Sequence, residues 1–159
     1  MMSKYKFFYG GPFSQWAHSP FVIDGITFNT CEQWMMWNKA QLFGDLESAR
    51  KILETTDPAV QKRLGRQVKN FVDEEWMKVA YDIVVAGNRA KFSQNPAFNE
   101  ALKKTCGQLL VEASPVDRRW GIGMREGEDG IENPSNWKGD NLLGKAITQV
   151  RQEMFGTTK

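Results

Sequence analysis

For most of its length the chain places apolar residues three and four positions apart, the spacing of helices with one buried face, and only near the start does it show short extended runs. Residues 5–9 and 20–28 read as extended, with Asp24-Gly25 as the tight turn of a hairpin. Thr30, followed three residues later by Gln33, forms a capping box, and helical spacing then runs from Cys31 to Phe43 before Gly44 stops it. Two shorter amphipathic helices follow, about Leu46 to Glu54 and, after the Asp57-Pro58 start signal, Pro58 to Arg66. Trp76, Val79, Ala80, Ile83, Val84, Gly87 and Ala90 predict one long central helix between Asp73 and Phe92. Asn95-Pro96 restarts a short helix through Lys104, and Leu109 to Pro115 reads as a buried strand. The stretch to Lys138 is rich in Gly, Asp, Glu, Asn and Pro and reads as a long functional loop. Asn141 is expected to cap a last helix with Leu142, Leu143, Ala146, Ile147, Val150 and Met154 on one face. The expectation is a mainly α, compact single-domain helical fold over residues 1–159, with a small N-terminal β-hairpin element.

Composition narrows this picture. With 159 residues, 41% apolar and 25% charged, the chain can bury a core without disulfides or metals. No run approaches the roughly 20 apolar residues of a membrane span, and the start lacks the apolar core of a secretory signal, so a cytoplasmic location away from any membrane is expected. Cys31 and Cys106 lie far apart with no ligand spacing, and His18 is the sole histidine, so no metal is expected. Neither a P-loop nor a G-x-G-x-x-G run is present, which removes the usual support for nucleotide hydrolysis or a dinucleotide, and no cofactor is expected. A net charge of +2 creates no field that would drive the chain onto nucleic acid. Six tryptophans and ten phenylalanines either fill the core or line a pocket for flat ligands.

Within the first helix, Glu32 and Lys39 stand seven residues apart, which points them the same way about 10.5 Å apart along the axis. That face also carries Met35, Met36 and Phe43, and charges on an apolar face need partners or a purpose. One reading has Glu32 supporting the helix N-terminus while Lys39 snorkels to water. The other is a cleft wall offering a carboxylate and an amine, the amine acidified by apolar neighbours and able to act as nucleophile or base. In the run Ala113 to Met124, Asp117 precedes Trp120 by three residues, and Gly121 and Gly123 permit close ligand approach. Asp117, two arginines and Trp120 could orient a ribose, hold phosphate and stack a base, or form an ordinary structural turn. Arg66 and Lys91 lie near helix ends, where phosphates are often held and where solvated surface charge is equally at home.

The ordered runs PFVIDGITFNTCEQW, NKAQLFGD, DPAVQKRLGR, GNRAKFSQN, LLVEASPVDRRWGIGM and NWKGDNLLGKAITQVR resemble the NADAR, or YbiA-like, family from about Phe7 to Met154. The resemblance implies a mainly helical fold and an N-glycosidase activity. The bond cleaved joins ribose C1 to nitrogen, either in phosphoribosyl intermediates of riboflavin synthesis or in ADP-ribose attached to guanine in nucleic acid. It makes Glu32 the leading catalytic residue and Lys39 the lysine that could form a Schiff base with an opened ribose, with Asp117 orienting ribose hydroxyls or water. Trp76 and Trp120 match pocket positions, and Arg66, Lys91, Gly121 and Asn141 are the further substrate-binding candidates. Cys31 stands where many relatives carry a small residue. The implied partner is a ribose phosphate, free or linked to nucleic acid. Two other readings compete: a non-catalytic ADP-ribose or nucleotide-binding module, and a helical domain that binds a protein partner through a wide apolar patch.

Overall fold

The computed structural model describes residues 3–156. Two compact units emerge, one from Gln15 to Pro96 and one from the N-terminal arm through Ser14 together with the chain from Ala97 onward. In chain order the elements are β1 (Tyr5–Phe8), β2 (Phe21–Ile23), β3 (Ile26–Phe28), α1 (Cys31–Leu42), α2 (Leu46–Glu54), α3 (Pro58–Arg66), α4 (Asp73–Met77), α5 (Ala80–Gln94), α6 (Pro96–Lys103), β4 (Leu109–Glu112) and α7 (Leu142–Phe155). The described residues are thus mainly helical, as expected, and their strands form two two-stranded sheets.

In the Gln15–Pro96 unit, β2 and β3 pair antiparallel through a turn whose central residues Asp24 and Gly25 have φ of 51° and 79°. Both left-handed values suit the right-handed twist of a two-residue hairpin, which is why Asp-Gly stands there. The hairpin's inner face packs Phe21 and Phe28 with Cys31 and Ala90, bordered by Trp34 and Trp37. The Thr30 hydroxyl caps α1 by accepting from Gln33 N at 3.0 Å. Gln33 completes the box one residue further out than the usual pattern, its Oε1 accepting from Asn29 N at 2.6 Å. Its Nε2 donates to Ile52 O and Thr55 O, so the start of α1 is tied to the end of α2. Gln61 of α3 joins the same knot of amides, accepting from the Thr30 hydroxyl and donating to Thr55 O.

The single long helix expected between Asp73 and Phe92 is two helices. Trp76 turns into the interior, and Val79 N–H closes a tight bond to Trp76 O, leaving Val79 at φ −122° and ψ −13°. The chain then restarts as α5 without a side-chain cap. The apolar spacing continues unbroken across the joint, so burial of the tryptophan rather than any breaker residue decides the break.

The other unit is organised by β4. Its β1 neighbour runs parallel in the register Tyr5↔Leu109 to Phe8↔Glu112. On the far edge, side chains of the last helical segment replace a third strand. Thr148 Oγ1 accepts from Leu110 N at 3.0 Å, Asn141 Oδ1 accepts from Glu112 N at 2.9 Å, and Asn141 Nδ2 donates to Leu110 O at 3.0 Å. The expected capping role of Asn141 is corrected accordingly. It holds the position before α7 with a left-handed φ of 53°, and its side chain makes no cap hydrogen bond. A buried strand edge carries obligatory donors and acceptors, and the Asn141 amide is free to meet them because Arg119 O and Trp120 O already accept from the first N–H groups of α7. Val111, Ala113, Ile122, Met124 and Ile131 form this unit's core beside Tyr5, Phe7 and Trp137.

Candidate active site

Helix α1 carries both chemically suggestive side chains of the Gln15–Pro96 unit. Its buried positions are Cys31, Glu32, Gln33, Met35, Met36 and Ala40, so the helix is wedged between neighbours on more than one side. Two glycines admit those neighbours. A Cβ on Gly65 of α3 would stand 2.0 Å from Met36 Sδ, and one on Gly87 of α5 would stand 2.3 Å from Trp34 Cδ1. Trp34 cannot swing aside freely, because its Nε1 donates to Ile83 O at 2.7 Å. Gly87→Ala is therefore expected to lower stability by roughly 1–3 kcal/mol through overpacking, read as a fall in the denaturant midpoint.

Glu32 lies in the first turn of α1 and is only 8% exposed. Its backbone N–H donates to Gln15 O at 3.0 Å, and Gln15 in turn accepts from Asn88 Nδ2 of α5 at 3.0 Å. Beside it the Cys31 thiol is buried, with Sγ 3.7 Å from Asn88 Oδ1. Burial pushes that thiol up to about 11, with the Glu32 charge adding to the rise and Lys91 opposing it, so Cys31 is no nucleophile near neutral pH.

Lys39 sits half-buried in the last turn of α1. Loss of water holds its amine below the ordinary lysine value, Arg66 pushes the same way, and the Glu32 and Asp73 carboxylates oppose the shift. Its Nζ lies 4.3 Å from the centre of the Phe71 ring. Carboxylate and amine thus share one helix, and each feels the other's field.

The remaining candidates separate by unit. Arg66 is exposed at the end of α3 and reaches Lys39 electrostatically. Trp76 is 3% exposed, its ring packed in the interior rather than presented as an open stacking face. Lys91 is wholly buried in α5, not solvated at a helix end, and burial pushes its amine down to about 8. Asp117, Trp120, Gly121 and Asn141 belong to the other unit. There Asp117 Oδ1 accepts from Arg119 N and Trp120 N at 2.9 and 2.8 Å, which fixes the turn that presents the half-buried Trp120. Gly121 is a packing glycine: an added Cβ would meet Asp117 O and Ser114 Cβ at 3.0 Å. The Asn141 amide is committed to β4.

Three residues near Lys39 and Glu32 were not singled out from sequence: Phe71, Asp73 and Gln15. Asp73 and Phe71 sit in a polar-looking stretch whose proximity to Lys39 arises only when α4 packs, and Gln15 lies in a loop without periodicity. Among the described residues, no group of His, Cys, Asp and Glu is arranged to hold a metal, and no helix is long and apolar enough to cross a membrane.

A nearly buried carboxylate and a half-buried amine held below its ordinary value share one helix, a pair chemically able to take part in proton transfer or imine formation. The chain belongs to the NADAR domain family, whose pattern matches residues 7–155. It is 42% identical over 164 residues to N-glycosidase R617 of Acanthamoeba polyphaga mimivirus, covering 94% of this chain and 96% of that protein. It is 34% identical over 142 residues to the chloroplastic riboflavin biosynthesis protein PYRR of Zea mays, covering 84% of this chain but 21% of that one. The solution structure of YbiA from Escherichia coli superposes with a TM-score of 0.79 at 28% identity, covering 97% of this chain and 87% of YbiA.

Proposed function

We propose that this N-glycosidase hydrolyses the bond between C1 of a phosphorylated ribose and a nitrogen, with Glu32 and Lys39 as its catalytic groups. N-glycosidase is the name carried by R617 of the mimivirus and by YbiA of Escherichia coli. The observation that carries the assignment of residues is the pairing on α1 of an almost buried carboxylate with a half-buried amine held below its ordinary acidity range.

The chemistry follows from those states. Breaking the C1–N bond builds positive charge on the ribose, which a carboxylate in a water-poor setting stabilises. In the imine route Glu32, protonated at that point, gives its proton to the ring oxygen as the C1–O bond breaks and the lone pair of the base nitrogen closes onto C1, and the carboxylate left behind faces the positive charge. The neutral Lys39 amine then forms a bond to C1, and the base nitrogen leaves with a proton. A protonated imine remains on Lys39. Water adds to that carbon and expels the amine, so one water is consumed and the lysine is restored. Arg66, at the end of α3 in the same unit, is the exposed cation suited to phosphate.

Two substrate groups fit this chemistry: ADP-ribose attached to guanine in nucleic acid, and phosphoribosyl intermediates of riboflavin synthesis. The likeness to PYRR favours testing the second beside the first. The deciding experiment offers ADP-ribosylated guanine in DNA and the riboflavin intermediates in parallel and follows base or amine release by chromatography. Release from one group at least a hundredfold faster than from the other assigns the substrate. Tight ADP-ribose binding with no release from either would replace the enzyme with a binding module.

A further inference from the structure

The chain between α3 and α4 carries an aromatic ring for which the chemistry above has no use. Phe71 is 38% exposed, yet it is held in place. Its ring meets Phe43 edge-on with centroids 5.3 Å apart, and Lys39 Nζ lies 4.3 Å from its own centroid. The segment around it is anchored at both ends. Lys69 N donates to Asp45 Oδ2 at 3.0 Å, Asn70 adopts a left-handed φ of 63°, and Val72 O accepts from Trp76 N at the start of α4. Asparagine takes that left-handed backbone more readily than other non-glycine residues, so Asn70 turns the segment at little cost. An exposed phenylalanine delivered by such a segment onto one particular amine has a role beyond filling space.

We propose that Phe71 is a positioning residue for Lys39: its ring fixes the place of the amine and sets the acidity at which the amine becomes available to the sugar carbon. The face of an aromatic ring attracts an ammonium and not a neutral amine, so the contact favours the resting, protonated lysine. It thereby opposes the water loss that lowers the Lys39 amine from its ordinary value. The other charges facing Lys39 come from Glu32 on its own helix, Arg66 at the end of α3 and Asp73 at the start of α4. On α2, Arg50 pairs with Glu54 and Lys51 with Glu47 at the surface. On α5, Lys91 acts at the opposite end of α1, on Cys31. Strand β3 brings no charged residue. The inference rests on the reading of Lys39 as the attacking amine, although the ring's effect on its acidity is measurable without turnover.

The test compares Phe71→Leu, which keeps most of the bulk and removes the ring, with Phe71→Tyr, which keeps the ring, and with Phe71→Met as a second ringless variant. The titration of Lys39 is followed by NMR of its side-chain carbon, assigned by its loss in Lys39→Ala, alongside the pH profile of kcat/KM. Both ringless variants are expected to move the Lys39 midpoint down by about half a pH unit or more and to carry the rising limb of the profile with it, while Phe71→Tyr stays with the parent. An unmoved midpoint, or an upward one, in the folded ringless variants overturns the proposal. If the midpoint moves and Lys39→Ala still turns over, the positioning of the amine stands and its catalytic role falls.

Discussion

Glu32→Gln is expected to reduce kcat/KM by about 10²–10⁴, the range in which a positioned acid or base contributes, with the melting transition essentially unchanged. Glutamine keeps the shape and a hydrogen-bonding end but supplies neither a negative charge nor a transferable proton. In the substituted protein the backbone N–H of residue 32 still donates to Gln15 O, and the cap hydrogen bond still belongs to Thr30. Steady-state rates with the preferred substrate, beside a calorimetric scan, check it. Full activity in a folded Glu32→Gln protein would remove the carboxylate from the mechanism.

The second large effect is expected at Lys39. Lys39→Ala should abolish turnover, and Lys39→Arg should be nearly as damaging, because arginine keeps the positive charge but does not lose its proton near neutral pH. A phosphate-binding lysine would tolerate arginine, so this pair separates a nucleophile from a cation. Borohydride added during turnover should leave a reduced sugar adduct on the parent protein, seen as added mass on the peptide holding Lys39, and none on either variant. The pH direction follows from the acidity of the amine. Attack needs the neutral form, so the rate rises with pH as the proton leaves. Burial places that rise below the ordinary 10.5 of a lysine. A rate independent of pH across the whole neutral and alkaline range would contradict amine attack.

Local signals in the sequence led to most of the helices and to the hairpin, for reasons that are themselves local. Asp24-Gly25 takes the two left-handed positions of its turn, Thr30 caps α1, and Asp57-Pro58 opens α3 with the Asp57 carboxylate accepting from Ala59 N. Elements decided at long range were less legible. The parallel pairing of Tyr5 with Leu109 has no local signature, and neither does the joint at Val79, where the apolar spacing is uninterrupted. Asn141 carries the sequence of a cap and performs the work of a strand neighbour. Within the candidate site, the shared side of Glu32 and Lys39 was readable from helical spacing alone. The depth of Lys91 was not, since a lysine near the end of a helix ordinarily reaches water and only the packing of α5 against α1 denies it that.

The buried amides of Gln33 and Gln61 bear on how the enzyme meets its substrate. With Thr30 they lock the first turn of α1 to the end of α2 and the start of α3, one residue from Glu32. The entropy of fixing the backbone that carries that carboxylate is therefore settled when the chain folds rather than when a ligand arrives. Under the proposed mechanism such a site would meet the sugar already aligned and spend little of the affinity between them on rearrangement.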